Sequence, residues 1–320
     1  MRRPEILMLL LALAPARGTA AESPEAPPLK VNCLKIVGSM LSDAQIWTDH
    51  GVRGDVRLQK RAGADQWRVL GKDNAVIARG TREACEAKWR REAAKILLAA
   101  DKPIVVLVHG LFQTRAKMET IEDYLKQSGK LQVVNFGYAS TRGDIESHAA
   151  ALAEVLSAAP PQSEVSFVGH SMGCIVIRKL LAERKENAPW TAKRFVMIGP
   201  PNQGAEMARR LSRVEAVRML LGPGFDELAK SPEQGVGTIP TPSCDFAVIA
   251  GASPRWLLNN PLIAGDDDWI VGVDETTLEG AAFRLCVDAH HGSIVHHRET
   301  LDATLAFLLS GEAATKFEEE

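Results

Sequence analysis

The stretch Val165-Ser166-Phe167-Val168-Gly169-His170-Ser171-Met172-Gly173-Cys174-Ile175-Val176 constrains this chain more than any other. An apolar run reads as a buried strand and ends in Gly-His-Ser-Met-Gly. A helical pattern starts immediately, with Ile175, Arg178 to Leu181 and Ala182. G-x-S-x-G between a strand and a helix is a sharp turn. Side chains on its flanks would keep strand and helix apart, so Gly169 and Gly173 let them approach. Ser171 is left at the apex in strained backbone geometry with its hydroxyl exposed.

The remainder of the chain supplies a setting for that turn. After Asp101-Lys102-Pro103, the run Ile104–Val108 is continuous and β-branched, as in a strand covered on both faces. A helix around 117–127 and a strand over 132–136 follow. The next helix aligns Ile145, Ala149, Leu152 and Leu156. Beyond the central turn come strands at 194–198, 246–250 and 282–286, then a helix with Leu301, Leu305 and Leu308 on one face. Six strands separated mostly by helices predict an α/β fold over 101–310, a doubly wound, mainly parallel sheet with flanking helices. Residues 200–243 read as a cap-like insert. Met207, Leu211, Val214 and Leu221 fall near one helical face there, with Arg209, Arg210, Arg213 and Arg218 elsewhere. The apolar face would cover the strand ends, and the basic side would suit a transient contact with an anionic membrane surface. A plain packing helix accounts for the same pattern.

Ahead of this domain, 31–100 reads as a small α+β module. Short strands at 45–47, 56–59, 67–70 and 75–78 are separated by turn residues, His50-Gly51 among them. Thr81 then offers an N-cap to a helix carrying Cys85, Trp89, Ala93, Ile96, Leu97 and Ala100. The module's Trp residues read as core. The first residues combine Arg2 and Arg3 with a short apolar run and small residues, a secretory signal over 1–21 followed by a linker at 22–30. The expectation is therefore an exported protein, periplasmic or extracellular. Residues 311–320 read as a flexible tail.

The chain has 320 residues, enough for one large domain with one small one. Its formal net charge of −2 gives no overall basic field for nucleic acid. Five cysteines in an exported chain suggest disulfides with one thiol left over. Cys33 and Cys85 lie in the N-terminal section, Cys244 and Cys286 beside or in late strands, and Cys174 reads as a free, buried hydrophobe. Connectivity is not fixed by the sequence. Oligomeric state is equally open.

Ligand sites in open parallel sheets lie at the carboxyl ends of the strands. Four features fall there: Val108-His109-Gly110-Leu111-Phe112, the Ser171 turn, Gly265-Asp266-Asp267-Asp268-Trp269-Ile270-Val271, and Asp288-Ala289-His290-His291-Gly292-Ser293. A serine nucleophile needs an imidazole to take its proton and a carboxylate to orient that imidazole. The chain order Ser, Asp, His suits this fold. No His/Cys/Asp spacing suggests zinc or another catalytic metal.

From about Pro103 to Leu309 the chain resembles the α/β-hydrolase superfamily, in particular bacterial lipases and esterases. The resemblance rests on Val-His-Gly-Leu at 108–111, Gly-His-Ser-Met-Gly at 169–173 and Gly-Pro-Pro-Asn-Gln-Gly at 199–204. It also draws on Asp268 to Val273 and on His291 followed by Ile294-Val295. It implies a serine hydrolase cleaving carboxylic esters through an acyl-enzyme on Ser171, without a cofactor, on a small-molecule or lipid ester. Asp268 would be the acid, with Asp266 the runner-up, because Trp269 stands where such lipases have Gly in an Asp-Gly-x-Val segment. His291 would be the base, with His290 second. Backbone N–H groups of Leu111 and Met172 would receive the oxyanion, Phe112 and His170 would line the pocket, and His109 would fix a loop. Some secreted lipases carry an Asp two residues after the base; Ser293 stands there, so the resemblance implies no calcium. Acyl transfer or thioester cleavage would use the same triad, and a non-catalytic cell-envelope binding protein on this fold is the reading of another class.

Overall fold

The computed structural model describes residues 45–96, 102–253 and 260–312. The expected signal peptide, the linker, Cys33, Leu97 to Ala100 of the expected module helix and the tail from 313 onward lie outside them.

The N-terminal part is an antiparallel meander of β1 (Trp47–Arg53), β2 (Val56–Arg61), β3 (Trp67–Leu70) and β4 (Val76–Gly80), covered by helix α1 (Arg82–Ala93). Thr81 caps α1, its hydroxyl accepting the Ala84 N–H. Trp67, Val69, Leu58 and Cys85 form the core of this part, with Trp89 packed against it. The turn expected at His50-Gly51 is not a turn. Those residues sit inside β1, where the pairing with β2 slips between Asp49 and Gly51. At this bulge the Asp49 carboxylate is fully buried, held by Arg57 and Gln59 of β2 and accepting the Gly137 N–H. The helix, expected to run on to Ala100, ends at Ala93.

The main sheet alternates with helices: β5 (Ile104–Val108), α2 (Glu119–Gln127), β6 (Gln132–Phe136), α3 (Ile145–Ser157), β7 (Ser163–His170), α4 (Met172–Ala182) and β8 (Trp190–Ile198). Three short helices of the insert follow, α5 (Glu206–Leu211), α6 (Glu215–Leu221) and α7 (Pro223–Leu228). The chain then makes β9 (Asp245–Ala252), β10 (Phe283–Asp288) and α8 (Arg298–Ser310). The six strands pair in parallel in the order β10-β9-β8-β7-β5-β6.

Strand alternation sends Ile104, Val106 and Val108 to one face with α3 and α4, and Val105 and Leu107 to the other with α2 and α8. Burial on both faces explains the unbroken apolar runs. From β5 the chain moves outward to β6, then returns across β5 to β7, so the winding reverses between β5 and β7. Such a switch point opens a crevice at the strand ends, and Val108 of β5 stands level with Gly169 of β7 there.

The insert's apolar face is buried. Met207, Leu211, Val217, Leu221, Phe225 and Leu228 belong to the core cluster that contains Phe112 and Met172. Its basic side is largely committed to carboxylates: Arg209 to Glu206 and Glu275, Arg210 to Glu206, and Arg218 to Asp226. No helix among the described residues is long and apolar enough to cross a membrane.

The disulfides expected of the late cysteines do not form: Cys85, Cys174, Cys244 and Cys286 are free thiols. Cys286 lies level with Ala250 on β9, well along the strand from Cys244. At roughly 3.3 Å per residue that is about 20 Å, far beyond the reach of a disulfide.

Candidate active site

Ser171 sits between β7 and α4 with φ 54° and ψ −128°, a left-handed backbone that a non-glycine residue rarely adopts. Its N–H donates to Ile198 O at 2.9 Å, which fixes the turn against the end of β8. The flanking glycines are sterically required. A Cβ on Gly173 would stand 2.3 Å from Val108 O and 2.5 Å from His109 O, and one on Gly169 would stand 2.8 Å from Cys174 Cα. All of these are backbone atoms that cannot move aside.

His291 and Asp268 lie next to each other. His291 Nδ1–H faces Asp268 Oδ2 at 2.7 Å, and the His291 N–H donates to Asp268 O at 2.8 Å. The other carboxylate oxygen, Oδ1, accepts the N–H groups of Ile270 (3.0 Å) and Val271 (2.8 Å). Both residues are buried, Asp268 at 1% exposure and His291 at 5%. Asp266, by contrast, is exposed. The Asp267 carboxylate is buried but turned away, accepting the N–H groups of Asn260 and Trp269. His290 packs edge-on against the Trp269 ring.

His170 joins the serine turn to the histidine loop. Its ring lies 4.8 Å from that of His291, with Nε2 3.0 Å from His291 O and Nδ1 2.9 Å from Gln113 Oε1. Burial holds its pKa well below the usual histidine value, and a neutral ring donates to one of these two acceptors at a time. Expected on the pocket wall, His170 has no exposed surface and acts instead as a strut. Phe112 is likewise mostly buried, within the main core. Lys117 braces the histidine loop from α2's side, its ammonium donating to Gly292 O and standing 3.3 Å from His296 Nε2. Burial pushes Lys117 down to about 8.

The loop after β5 lies against the serine: a Cβ on Gly110 would stand 2.9 Å from Ser171 Cβ. His109 is fully buried, stacks on Tyr138 at 4.3 Å and directs Nδ1–H to Gly110 O at 2.9 Å. Burial pushes it down to about 4, so it is a neutral loop-fixing residue. Leu111 and Met172 occupy the two positions expected to receive an oxyanion. Met172 opens α4, where a helix leaves its first N–H groups unpartnered. Gln113, Ser140 and Lys117 have no motif of their own in the sequence, and Asp267 stands out there only as a neighbour of Asp268; the folded loops show that they hold the others.

The Gly-Pro-Pro-Asn-Gln-Gly segment at 199–204 ties the insert to the Asp268 loop. Asn202 Nδ2 donates to Thr276 O at 2.8 Å and Gln203 Nε2 to Thr277 O at 2.9 Å. Gly199 lies against both His291 and Asp268.

A family model described as a domain of unknown function, DUF7379, matches residues 76–239. The chain belongs to this family. The DUF7379 match runs from β4 into the insert; it includes Ser171 and stops short of Asp268 and His291. No curated protein matches the sequence. Among solved structures, the DUF7379 chain is similar to the Bacillus licheniformis lipase BlEst2 in its propeptide form, at 18% identity and a TM-score of 0.52, over 70% of this chain and 54% of that one. It therefore spans about half the length of that lipase chain. It is also similar to a metagenomic carboxyl esterase, MGS0156, at 15% identity and a TM-score of 0.46, over 80% and 78% of the two chains. At 18% identity the likeness to the lipase speaks for the fold alone, which is that of the α/β-hydrolases.

Proposed function

We propose that the protein is a serine hydrolase that cleaves carboxylic esters through an acyl-enzyme on Ser171. The observation that carries this reading is the Asp268–His291 pair, braced through His170 against the turn that bears Ser171. His291 takes the Ser171 proton as the hydroxyl oxygen attacks the ester carbonyl, and Asp268 holds the imidazole with Nδ1–H inward and stabilises its cation. The carbonyl oxygen receives the N–H groups of Leu111 and Met172, at a helix N-terminus whose dipole favours the developing charge. His291 then gives its proton to the leaving alcohol. Water, deprotonated by the same ring, releases the acid.

The substrate in this reading is a small-molecule or lipid ester, in line with the lipase and esterase named among the structural neighbours. An exported location, from the basic and apolar start of the chain, belongs to the same proposal.

Labelling with a fluorophosphonate tests it, with the Ser171→Ala variant alongside and ester turnover assayed over a range of acyl lengths. The wild type labels and turns over esters, and Ser171→Ala does neither; equal labelling of the two removes the nucleophile assignment. Labelling without ester turnover favours acyl transfer or thioester cleavage. His291→Ala loses at least about 10³-fold in kcat and His290→Ala far less; the reverse order reassigns the base.

A further inference from the structure

We propose that Gln45, two residues ahead of β1 in the N-terminal module, is a positioning residue for the oxyanion hole, which makes that module part of the catalytic apparatus. The proposal rests on the ester-hydrolase reading above.

The loop after β5 presents four consecutive backbone N–H groups, Gly110 to Gln113, and three are occupied. Gly110 N–H donates to Gln113 Oε1 at 3.1 Å, Phe112 N–H to Ser140 Oγ at 3.0 Å, and Gln113 N–H to Gly110 O at 3.4 Å. Leu111 N–H has no acceptor among the described residues. The loop thus singles out one donor. It does so in a shape that resists itself, because Phe112 has φ +61°, and a non-glycine residue in that region persists only where its surroundings over-determine it.

Gln45 supplies that constraint from outside the main domain. It is 1% exposed. Its Nε2 donates to Gln113 O at 2.8 Å, and its Oε1 faces the Ser140 hydroxyl at 3.5 Å, the same hydroxyl that takes the Phe112 N–H. One amide therefore grips the two residues that follow Leu111, one directly and one through Ser140. The start of β1 holds the Ser140 loop in turn. Thr48 Oγ1 accepts the Ala139 N–H at 3.1 Å. Asp49 N–H donates to Gly137 O at 2.9 Å, and its carboxylate accepts the Gly137 N–H at 2.8 Å. That carboxylate is fully buried, paired with Arg57 and bonded to Gln59, so the anchor is itself fixed. An oxyanion donor is effective because it is aimed before charge develops. A loop released from Gln45 keeps its residues and loses its aim.

The test uses the whole protein carrying Gln45→Met, which keeps the side chain's length and removes both polar atoms, and separately Ser140→Ala. Active sites are titrated to completion with a fluorophosphonate, melting is followed by circular dichroism, and kcat and KM are measured on a soluble short-chain ester. Binding of a trifluoromethyl ketone is measured in parallel. Its carbonyl carbon bonds to Ser171 Oγ while the proton passes to His291, and the resulting oxyanion reports the hole. In each variant, kcat per titrated site falls about 10- to 100-fold, less than the loss of a whole donor. KM stays within about threefold, and ketone affinity falls in step with kcat. The double variant loses little more than the worse single one. A lowered melting temperature with unchanged kcat per titrated site overturns the proposal, as does a kcat loss with undiminished ketone affinity. If the wild type hydrolyses no ester, or Ser171→Ala still labels, the hydrolase reading itself falls and takes this one with it. If the wild type is active and Gln45→Met equals it, only the Gln45 assignment falls.

Discussion

Trp269 shows how much a single position can carry. Related lipases were expected to have glycine here, and the backbone passes through φ +80°, a region in which a Cβ costs about 1–2 kcal/mol. Two bonds hold it there: its N–H donates to Asp267 Oδ1 at 2.7 Å, and its carbonyl accepts from Asn260 Nδ2 at 2.7 Å. The turn so made brings the N–H groups of Ile270 and Val271 onto Asp268 Oδ1 and leaves Oδ2 for His291. Both Trp269→Gly and Trp269→Ala lose the indole, but only Gly relieves the strain. We expect Trp269→Gly to be the more stable of the two by about 1 kcal/mol in urea unfolding. Equal stabilities would mean that φ at this position carries no cost.

At the scale of elements, the central helix α4 does more than follow the serine. Arg178 on its buried face is 1% exposed, and its guanidinium donates to Asn202 O and Oδ1 and to Ile239 O. One side chain thus clasps both ends of the insert. Burial without a carboxylate partner pushes Arg178 down to about 10. Arg178→Met strands buried carbonyls that water cannot reach, at a cost of roughly 2–4 kcal/mol, and Arg178→Lys recovers little because an ammonium lacks the fork. Chemical denaturation checks both; a loss below about 0.5 kcal/mol for the Met variant would show that the clasp is dispensable. None of this was legible in the sequence, where Arg178 stood in the helical pattern without a role. The strands were legible because burial on both faces leaves a continuous apolar run, as in Ile104–Val108. The serine turn was legible because close backbone approach admits only glycine at 169 and 173. The resemblance favoured Asp268 over Asp266 and His291 over His290, while the residues alone left each choice open, since side-chain direction within a turn depends on hydrogen bonds such as those of Ile270 and Val271 to Asp268. His50-Gly51 misled because glycine serves bulges as well as turns. Gln45, Gln113 and Ser140 carried no signal, as polar loop residues are constrained only by partners far away in the chain.

For the molecule as a whole, the buried histidines His109, His148 and His170, each held below the ordinary value by burial, set how it meets acid. Burial holds both His109 and His148 down to about 4, against an ordinary value near 6.5. Their folded pKa values are depressed. The stability tied to their neutral forms is therefore complete above about pH 6.5 and is lost as pH falls toward 4, at about 3 kcal/mol for each ring. Asp267, Glu227 and Glu275, whose carboxyls burial pushes upward, act in the opposite sense as they protonate. A comparison of variants separates the two contributions: the pH dependence of the urea midpoint between pH 7 and 4.5 is shallower in His148→Phe than in the wild type. Parallel curves would remove His148 from the account.

The strut between His170 and His291 joins residues 121 positions apart, and Gln45 reaches 68 positions to Gln113. Contacts of such separation form late, because the intervening chain must first be gathered in. Chemistry on this scaffold is consequently a timer. On the proposed function, the site is complete only when the first and last thirds of the chain have met, so activity is expected to return with the last long-range contacts in a refolding experiment.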